Sequence, residues 1–330
     1  MKAAYFEQPG PPETIQYGDL PEPHCGPGQI LVRVGAVSVN PIDTYIRAGA
    51  NFFELPRPYI LGCDFAGTVE SVGEGVTQFK PGDRVWGSNQ GLLGRQGTFA
   101  EKCVVDAQWA YPIPENVTDE AAAAVALVGI TAHLGLFRCG QLKPGETIFI
   151  RGGVGGVGSM VVQMAKAIGA KVIATAGGAE KVELCRSLGA DHVIDYTSQD
   201  IRSSVQSIAP DGVHLVWETL REPDFDLMVD LAAEQGRLIL MAGRDARPPF
   251  PVGPFYVKCL SLHGFVMFKI PAEEQAKCAA DINHWLSTGK LRPLIDRVLP
   301  LSQAAEAHRL QELNTIEKKS CLKGKLVLKP

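Results

Sequence analysis

The sequence predicts an α/β protein of two parts, a β-rich domain and a doubly wound parallel sheet with helices packed on it. Three observations predict it. Short strand patterns punctuated by turn signals fill the chain up to Glu120, and strand and helix patterns then alternate from Gly145 to Gly243. The first of those alternations, ETIFIRGGVGGVGSMVVQMAK at Glu146–Lys166, runs from apolar residues into glycines and resumes as an amphipathic helix.

Composition allows both parts a core. With 330 residues, 45% hydrophobic and 21% charged, the chain is long and apolar enough for two ordinary domains. A formal net charge of -4 and interspersed charges leave no footprint for nucleic acid or an acidic membrane surface. The apolar run Ala121–Thr131 is shorter than a membrane span, and the N-terminal MKAAYFEQPGPPE has no signal-peptide core, so a soluble, cytoplasmic protein is expected. The eight cysteines (Cys25, Cys63, Cys103, Cys139, Cys185, Cys259, Cys278, Cys321) contain no C-x-x-C pair; they read as reduced thiols rather than a disulfide or metal framework.

In the first part, strands are expected at 30–34, 67–72 and 84–86, separated by Pro-Gly, Glu-Gly and Pro-Gly-Asp breakers, which gives an all-β domain. Between the first two, Ser38–Gly49 reads as a turn entering a brief helix, in which Asn40, Asp43 and Tyr45 are polar without an evident packing reason. An alanine-rich helix is expected over 119–137. Strands follow at 147–151, 171–175, 192–195, 213–217 and 237–241, with helical stretches between them, the pattern of parallel strands joined by crossovers. After Gly243 the alternation is expected to stop. Pro248–Pro254 reads as an irregular connector, 261–268 as a strand, 272–288 as a helix and 323–328 as a last strand returning to the first domain.

Gly153-Val154-Gly155-Gly156-Val157-Gly158 fits G-x-G-x-x-G, with a strand before it, a helix after it and a second strand ending at Thr175. The glycines let backbone approach a pyrophosphate, and the free N–H groups at the helix start favour its charge. This is a dinucleotide cradle. An NAD-binding strand ends in Asp or Glu to hold the ribose hydroxyls; here the second strand runs into Ala176-Gly177-Gly178. Nothing there repels a 2′-phosphate, and Lys181 follows one turn later. A charge-assisted contact from Lys181 would be worth on the order of 1.5–3 kcal/mol, roughly a tenfold to hundredfold preference. NADPH is therefore the expected cofactor, with Lys181 as a solvated surface charge and Glu180 as a ribose ligand the competing reading.

Four segments carry a family resemblance: Asn40–Gly49; Gly62-x-Asp64-x-Ala66-Gly67; Val72–Val76 with Phe79 and Gly82–Val85; and Gly152–Gly158 with Gln163 and Lys166. Together they resemble the quinone oxidoreductase (zeta-crystallin) branch of the medium-chain dehydrogenase/reductase superfamily, from end to end of the chain. The resemblance implies a chaperonin-10-like β-barrel domain (1–121 and 264–330) around an inserted Rossmann domain (122–263), with the active site in the cleft between them. It assigns Asn40 and Tyr45 to the nicotinamide side and Val154, Gly155, Gly156 and Val157 to the pyrophosphate. Gly177, Lys181 and Tyr196 fall to the 2′-phosphate, Met241, Ala242, Gly243 and Arg244 to the turn beyond the fifth strand, and Val266, Met267 and Phe268 to the carboxamide. Thr131 belongs to the same set; Val154 stands where Ala or Ser is usual, and His133 where Tyr is frequent. Zinc-dependent relatives have a Cys at or beside Asn40, a His at Cys63 and a Cys near Val128–Gly129, and this chain lacks the first and third; no cysteine cluster lies between Gln90 and Phe99. No metal is expected.

The implied activity is metal-free hydride transfer from NADPH to a quinone, with Asn40 and Tyr45 binding the developing oxyanion and Tyr45 or water giving the proton. An enone or alkenal reductase is the nearest alternative, decided by substrate walls among which Trp86, Phe52, Phe53, Leu92 and Leu93 are candidates. A nucleotide-binding structural protein of crystallin type is the alternative from another class. A homodimer is implied, paired through the strand at 261–268.

Overall fold

The computed structural model describes residues 1–50 and 55–330, so the candidates Phe52 and Phe53 lie outside the described residues. Two compact units divide the chain, Met1–Leu127 with Pro271–Ser287 and Arg292–Pro330, and Val128–Ile270 with Thr288–Leu291.

The first unit carries β1 (Lys2–Phe6), β2 (Gln16–Asp19), β3 (Gln29–Ser38), α1 (Pro41–Arg47), β4 (Tyr59–Ile60), β5 (Phe65–Val72), β6 (Arg84–Gly87), β7 (Lys102–Asp106) and β8 (Ala110–Pro112). The helix α2 (Asp119–His133) passes from it into the second unit. Its seven-stranded sheet runs β15-β16-β3-β5-β6-β8 with β7 also on β3, and β2-β1-β4 form a smaller sheet; β15 (Ile295–Pro300) and β16 (Lys325–Lys329) come from the chain's return, with α8 (Ala272–Ser287) and α9 (Ala304–Thr315). Antiparallel pairing sets Val327 opposite Ser38 and Leu328 opposite Val37, so the last strand lies against the strand that leads into α1. The unit is not all-β: α1 and α8 fall in the helical stretches expected within Ser38–Gly49 and at 272–288, while α9 has no counterpart among the expected elements.

The second unit alternates β9 (Thr147–Arg151), α3 (Gly156–Ala167), β10 (Lys171–Ala176), α4 (Ala179–Ser187), β11 (His192–Asp195), α5 (Ile201–Ile208), β12 (Val213–Glu218), α6 (Phe225–Leu231), β13 (Ala232–Leu240), α7 (Val252–Val257) and β14 (Ser261–Gly264). The strands are parallel in the order β11-β10-β9-β12-β13-β14. That is a doubly wound sheet whose order reverses between β9 and β12, where such sheets bind ligands. Two expectations are corrected. The alternation does not stop at Gly243, because α7 and β14 add one more unit; and β14 ends at Gly264, not Phe268, with a 3-10 turn at Met267–Lys269. Its β-branched content is low after Gly264, so the pattern was set by apolarity alone. Phe149, Ile173, Val216 and Leu238, one from each central strand, share a buried cluster with Leu227, Met228 and Leu231 of α6.

Helix α2 is longer than its apolar run, since a π-helical turn at Leu134–Cys139 continues it. Asp119–Cys139 is long and apolar enough to cross a membrane by length and composition, but 78% of its most apolar window is buried in the protein, as in a core helix.

Candidate functional site

In the second unit every candidate cofactor residue except Thr131 lies on the carboxyl edge of the sheet. Gly152–Gly158 leave β9, Gly177 and Gly178 leave β10, Tyr196 leaves β11, Met241–Arg244 leave β13 and Val266–Phe268 follow β14. The glycines have separate causes. Gly152 adopts φ +88, and a Cβ there would meet Thr219 Oγ1 at 2.7 Å. At Gly153 a Cβ would meet Cys185 Sγ at 2.6 Å and Ala174 Cβ at 2.9 Å, and at Gly158 the carbonyl oxygen of Gly152 at 2.0 Å. These positions let loop, strand and helix touch. Gly155 is different: it is exposed, caps α3 without a side chain, and a Cβ would come no nearer than 3.5 Å to any atom. The first N–H groups of α3 have no partner within the helix, and this twelve-residue helix offers them with its positive end. Val154 turns its branched side chain inward, 8% exposed.

The end of β10 is shaped by its neighbour. A Cβ on Gly177 would meet Tyr196 Oη at 2.4 Å, so the phenol of Tyr196, half exposed, lies over that glycine. Sequence reasoning missed Asp195. Its Oδ1 accepts from Gly178 N at 3.0 Å and from Thr197 Oγ1 at 2.7 Å, and the Thr197 hydroxyl, with the Gly178 and Thr197 N–H groups, holds its carboxyl below the usual range. An ionised group thus borders the Ala176–Gly178 turn. The switch point itself is fastened by Arg151 Nη1, 3.0 Å from the buried Glu218 Oε2, a pair the sequence did not flag. Gly243, at φ +86, would place a Cβ 2.8 Å from the Arg221 carbonyl, which fixes glycine in the Met241–Arg244 turn. Thr131 is buried in α2, and His133 stacks edge-on against Phe137 at 4.7 Å.

In the first unit, Asn40, Asp43, Cys63, Asp64 and Lys325 form one buried polar network. Pairing of β16 with β3 delivers Lys325 to the start of α1. Its Nζ donates to the Val39 carbonyl at 2.8 Å and to Asn40 Oδ1. Asn40 Nδ2 donates to Asp64 Oδ2 at 2.7 Å, which also accepts from Ser38 Oγ at 2.8 Å, while Ser88 Oγ donates to Asp64 Oδ1 at 2.7 Å. Asp43, three residues into α1, accepts from the Asn40 N–H at 2.8 Å, and the Cys63 thiol bonds its carboxyl. Burial pushes Asp43 up to about 7 against the Asn40 bond, pushes the Cys63 thiol well above its usual range, raises Asp64 against the pull of Lys325, and lowers Lys325 against the pull of Asp64.

These bonds bear on the role expected of Asn40. Its amide is fully buried, with Oδ1 accepting from Lys325 and Nδ2 donating to Asp64. Tyr45 lies on the same helix and is partly exposed. Of the candidate substrate walls, Trp86 is fully buried and bonded to Asn283 Oδ1 at 2.9 Å, Leu92 is fully buried, and Leu93 is 52% exposed. Among the described residues no group of three His, Cys, Asp or Glu that could hold a metal comes together, and the ammonium of Lys325 faces the acids of the network.

Residues 26–115 match the alcohol dehydrogenase GroES-like domain, and residues 156–282 match the family described as zinc-binding dehydrogenase. The chain is 33% identical to the quinone oxidoreductase of Sus scrofa over 303 residues, 91% of this chain and 90% of the relative. It is 28% identical to the 2-haloacrylate reductase of a Burkholderia species, covering 94% and 95% of the two chains. The solved structure of Escherichia coli quinone oxidoreductase complexed with NADPH matches all of both chains with a TM-score of 0.86 at 27% identity.

Proposed function

The chain belongs to the quinone oxidoreductase branch of the medium-chain dehydrogenase/reductase superfamily, and from that premise we propose that it reduces quinones with NADPH and without a metal. The observation that carries the reading is the carboxyl edge of the second unit's sheet, where an exposed Gly155 opens the start of α3 and β10 ends in Ala176-Gly177-Gly178 rather than an acid. Bound NADPH supplies a hydride from its nicotinamide ring. Gly155–Val157 hold the pyrophosphate through N–H groups, Lys181 and Tyr196 take the 2′-phosphate, and Met241–Arg244 and Val266–Phe268 line the path to the nicotinamide. Tyr45 donates a proton to the reduced oxygen, and Asn40 serves by holding α1 rather than by touching substrate. A quinone suits this equipment, being electrophilic without a Lewis acid. The 2-haloacrylate reductase relative favours one second reading, delivery of the same hydride to an electron-poor alkene conjugated to a carboxylate or carbonyl.

Purified protein is to be assayed for NADPH oxidation with 1,4-benzoquinone and, separately, with an enone. Faster turnover of the quinone supports the first reading and faster turnover of the enone the second. Binding of NADPH with no turnover of either, a preference for NADH, or zinc at one per chain would each refute the corresponding part. Self-association is proposed through the outer edge of β14, the last strand of the sheet, because Val252, Tyr256 and Val257 of α7 and Leu262 of β14 are large apolar residues exposed beside it. Sedimentation velocity of the parent and of Tyr256→Glu checks this; a monomeric parent ends it.

A further inference from the structure

We infer that Lys325 is a positioning residue, whose buried ammonium fixes the first turn of α1 and thereby the aim of Tyr45. The inference rests on the proton-donating role proposed for Tyr45. Helix α1 has seven residues, too few to hold its place by its own hydrogen bonds. Its position is set from outside, at both ends, by the returning C-terminal segment. At the entry, Lys325 binds the Val39 carbonyl and Asn40 Oδ1, the two acceptors just before Pro41. Asn40 passes that restraint to Asp64 on β5's approach and, through its N–H, to Asp43 inside the helix. At the exit, the guanidinium of Arg47, 1% exposed, pairs with Glu312 of α9. Tyr45 lies between these two ties, two residues from each of Asp43 and Arg47.

A lysine is an expensive choice for a 6% exposed site at the start of a strand that otherwise buries Leu326, Val327 and Leu328. An apolar residue of equal length would fill the same space. It would leave the Val39 carbonyl and Asn40 Oδ1 without a donor and the Asp64 carboxylate without its opposing charge. The first turn of α1 would then relax by a fraction of its present restraint, and a shift of about 1 Å in a reacting group is enough to lower turnover about a hundredfold.

The test is a double-mutant cycle of Lys325→Met and Tyr45→Phe, read as kcat and KM for 1,4-benzoquinone with NADPH, as the NADPH Kd from quenching of nucleotide fluorescence, and as the melting curve by circular dichroism. Lys325→Met is expected to lower kcat roughly tenfold to hundredfold while the NADPH Kd, set by the glycine cradle, stays within about twofold. In the Tyr45→Phe background the same change is expected to cost less than about threefold, since the group being aimed is already gone. Unchanged kcat, full additivity of the two losses, or loss of NADPH affinity in step with kcat would overturn the inference. If Lys325→Met does not fold, Asn40→Ala removes the same acceptor with the lysine in place and is judged on the same criteria. If Tyr45→Phe alone keeps full kcat, it is the proton-donating reading of Tyr45 that fails, and the split between kcat and Kd in Lys325→Met then decides whether Lys325 positions α1 for another group.

Discussion

Gly155 and Gly158 sit three residues apart in one loop, and alanine should separate their roles. A Cβ on Gly158 would lie 2.0 Å from the Gly152 carbonyl oxygen and 2.9 Å from its carbon, both backbone, so no side chain can turn aside and the loop must move. Overpacking of that kind costs about 1–3 kcal/mol and more where backbone resists. The helical propensity gained from alanine returns about 1 kcal/mol. A net loss of about 2 kcal/mol is expected, which for a unit of this size lowers Tm by roughly 4–8 °C. At Gly155 the nearest atom to a Cβ would be 3.5 Å away, φ is -68, and the residue is exposed. Alanine there should cost the free protein less than about 1 kcal/mol, as a poorer helix cap. Its methyl would stand where the pyrophosphate approaches, so NADPH should bind at least about tenfold more weakly. Thermal unfolding without nucleotide and NADPH titration, run on both variants, give the two readouts. The reasoning is refuted if Gly158→Ala melts with the parent, or if Gly155→Ala binds NADPH as the parent does.

Lys181→Ala should narrow the preference for NADPH over NADH by roughly tenfold to hundredfold, and Asp195→Asn, which keeps the acceptor for Gly178 while removing the charge, should widen it; Kd values for both nucleotides settle each. His308 is fully buried, and burial followed by the charge of Arg47 lowers it from 6.5 to about 3. Its folded value lies below its unfolded one, so its stability contribution is present above pH 6.5 and lost as pH falls; at pH 5 the loss is about 2 kcal/mol. His308→Leu should therefore gain about that much on the parent between pH 8 and pH 5 in urea unfolding, and a pH-independent difference would refute it. Asp43 has the opposite sign: raised from 3.8 to about 7, it favours the folded state at low pH and loses that contribution as pH rises through about 7. Asp43→Asn should gain stability relative to the parent from pH 5 to pH 8, measured the same way, and a flat difference would end the argument.

The glycine cradle was legible because its signals are local: an apolar strand, the spacing of the glycines themselves, and a helix whose period is plain, even though the contact that excludes a side chain at Gly152 comes from distant Thr219. The parallel strands from β9 to β13 followed from the same periodicity. What lay beyond was long-range. Asp195 borders the β10 turn only because β11 pairs beside β10, and Glu218 meets Arg151 only across the switch point. Val266–Phe268 carried apolar residues that a strand pattern accepts, yet the edge strand stops at Gly264, where the chain leaves the sheet. The polar residues Asn40 and Asp43 stood out in sequence, but their partners, Asp64 and Lys325, are 24 and 285 residues from Asn40. No periodicity links residues so far apart.

That distance bears on the chemistry. Two buried carboxyls and a thiol lie beside α1 in one network with the ammonium of Lys325. Buried acids are costly unless opposed by a positive charge and filled with hydrogen bonds. Here Lys325 opposes them from within, and the four acceptor and donor contacts on Asp64 and Asn40 leave the polar atoms satisfied. A divalent ion entering this network would have to displace an ammonium already bonded to a backbone carbonyl. On the proposed reading, the C-terminal strand supplies a positive charge to the start of α1 and serves the placing of a helix rather than the polarising of a carbonyl. The metal-free reaction proposed for it calls for an acceptor that is electrophilic at the outset, which a quinone is.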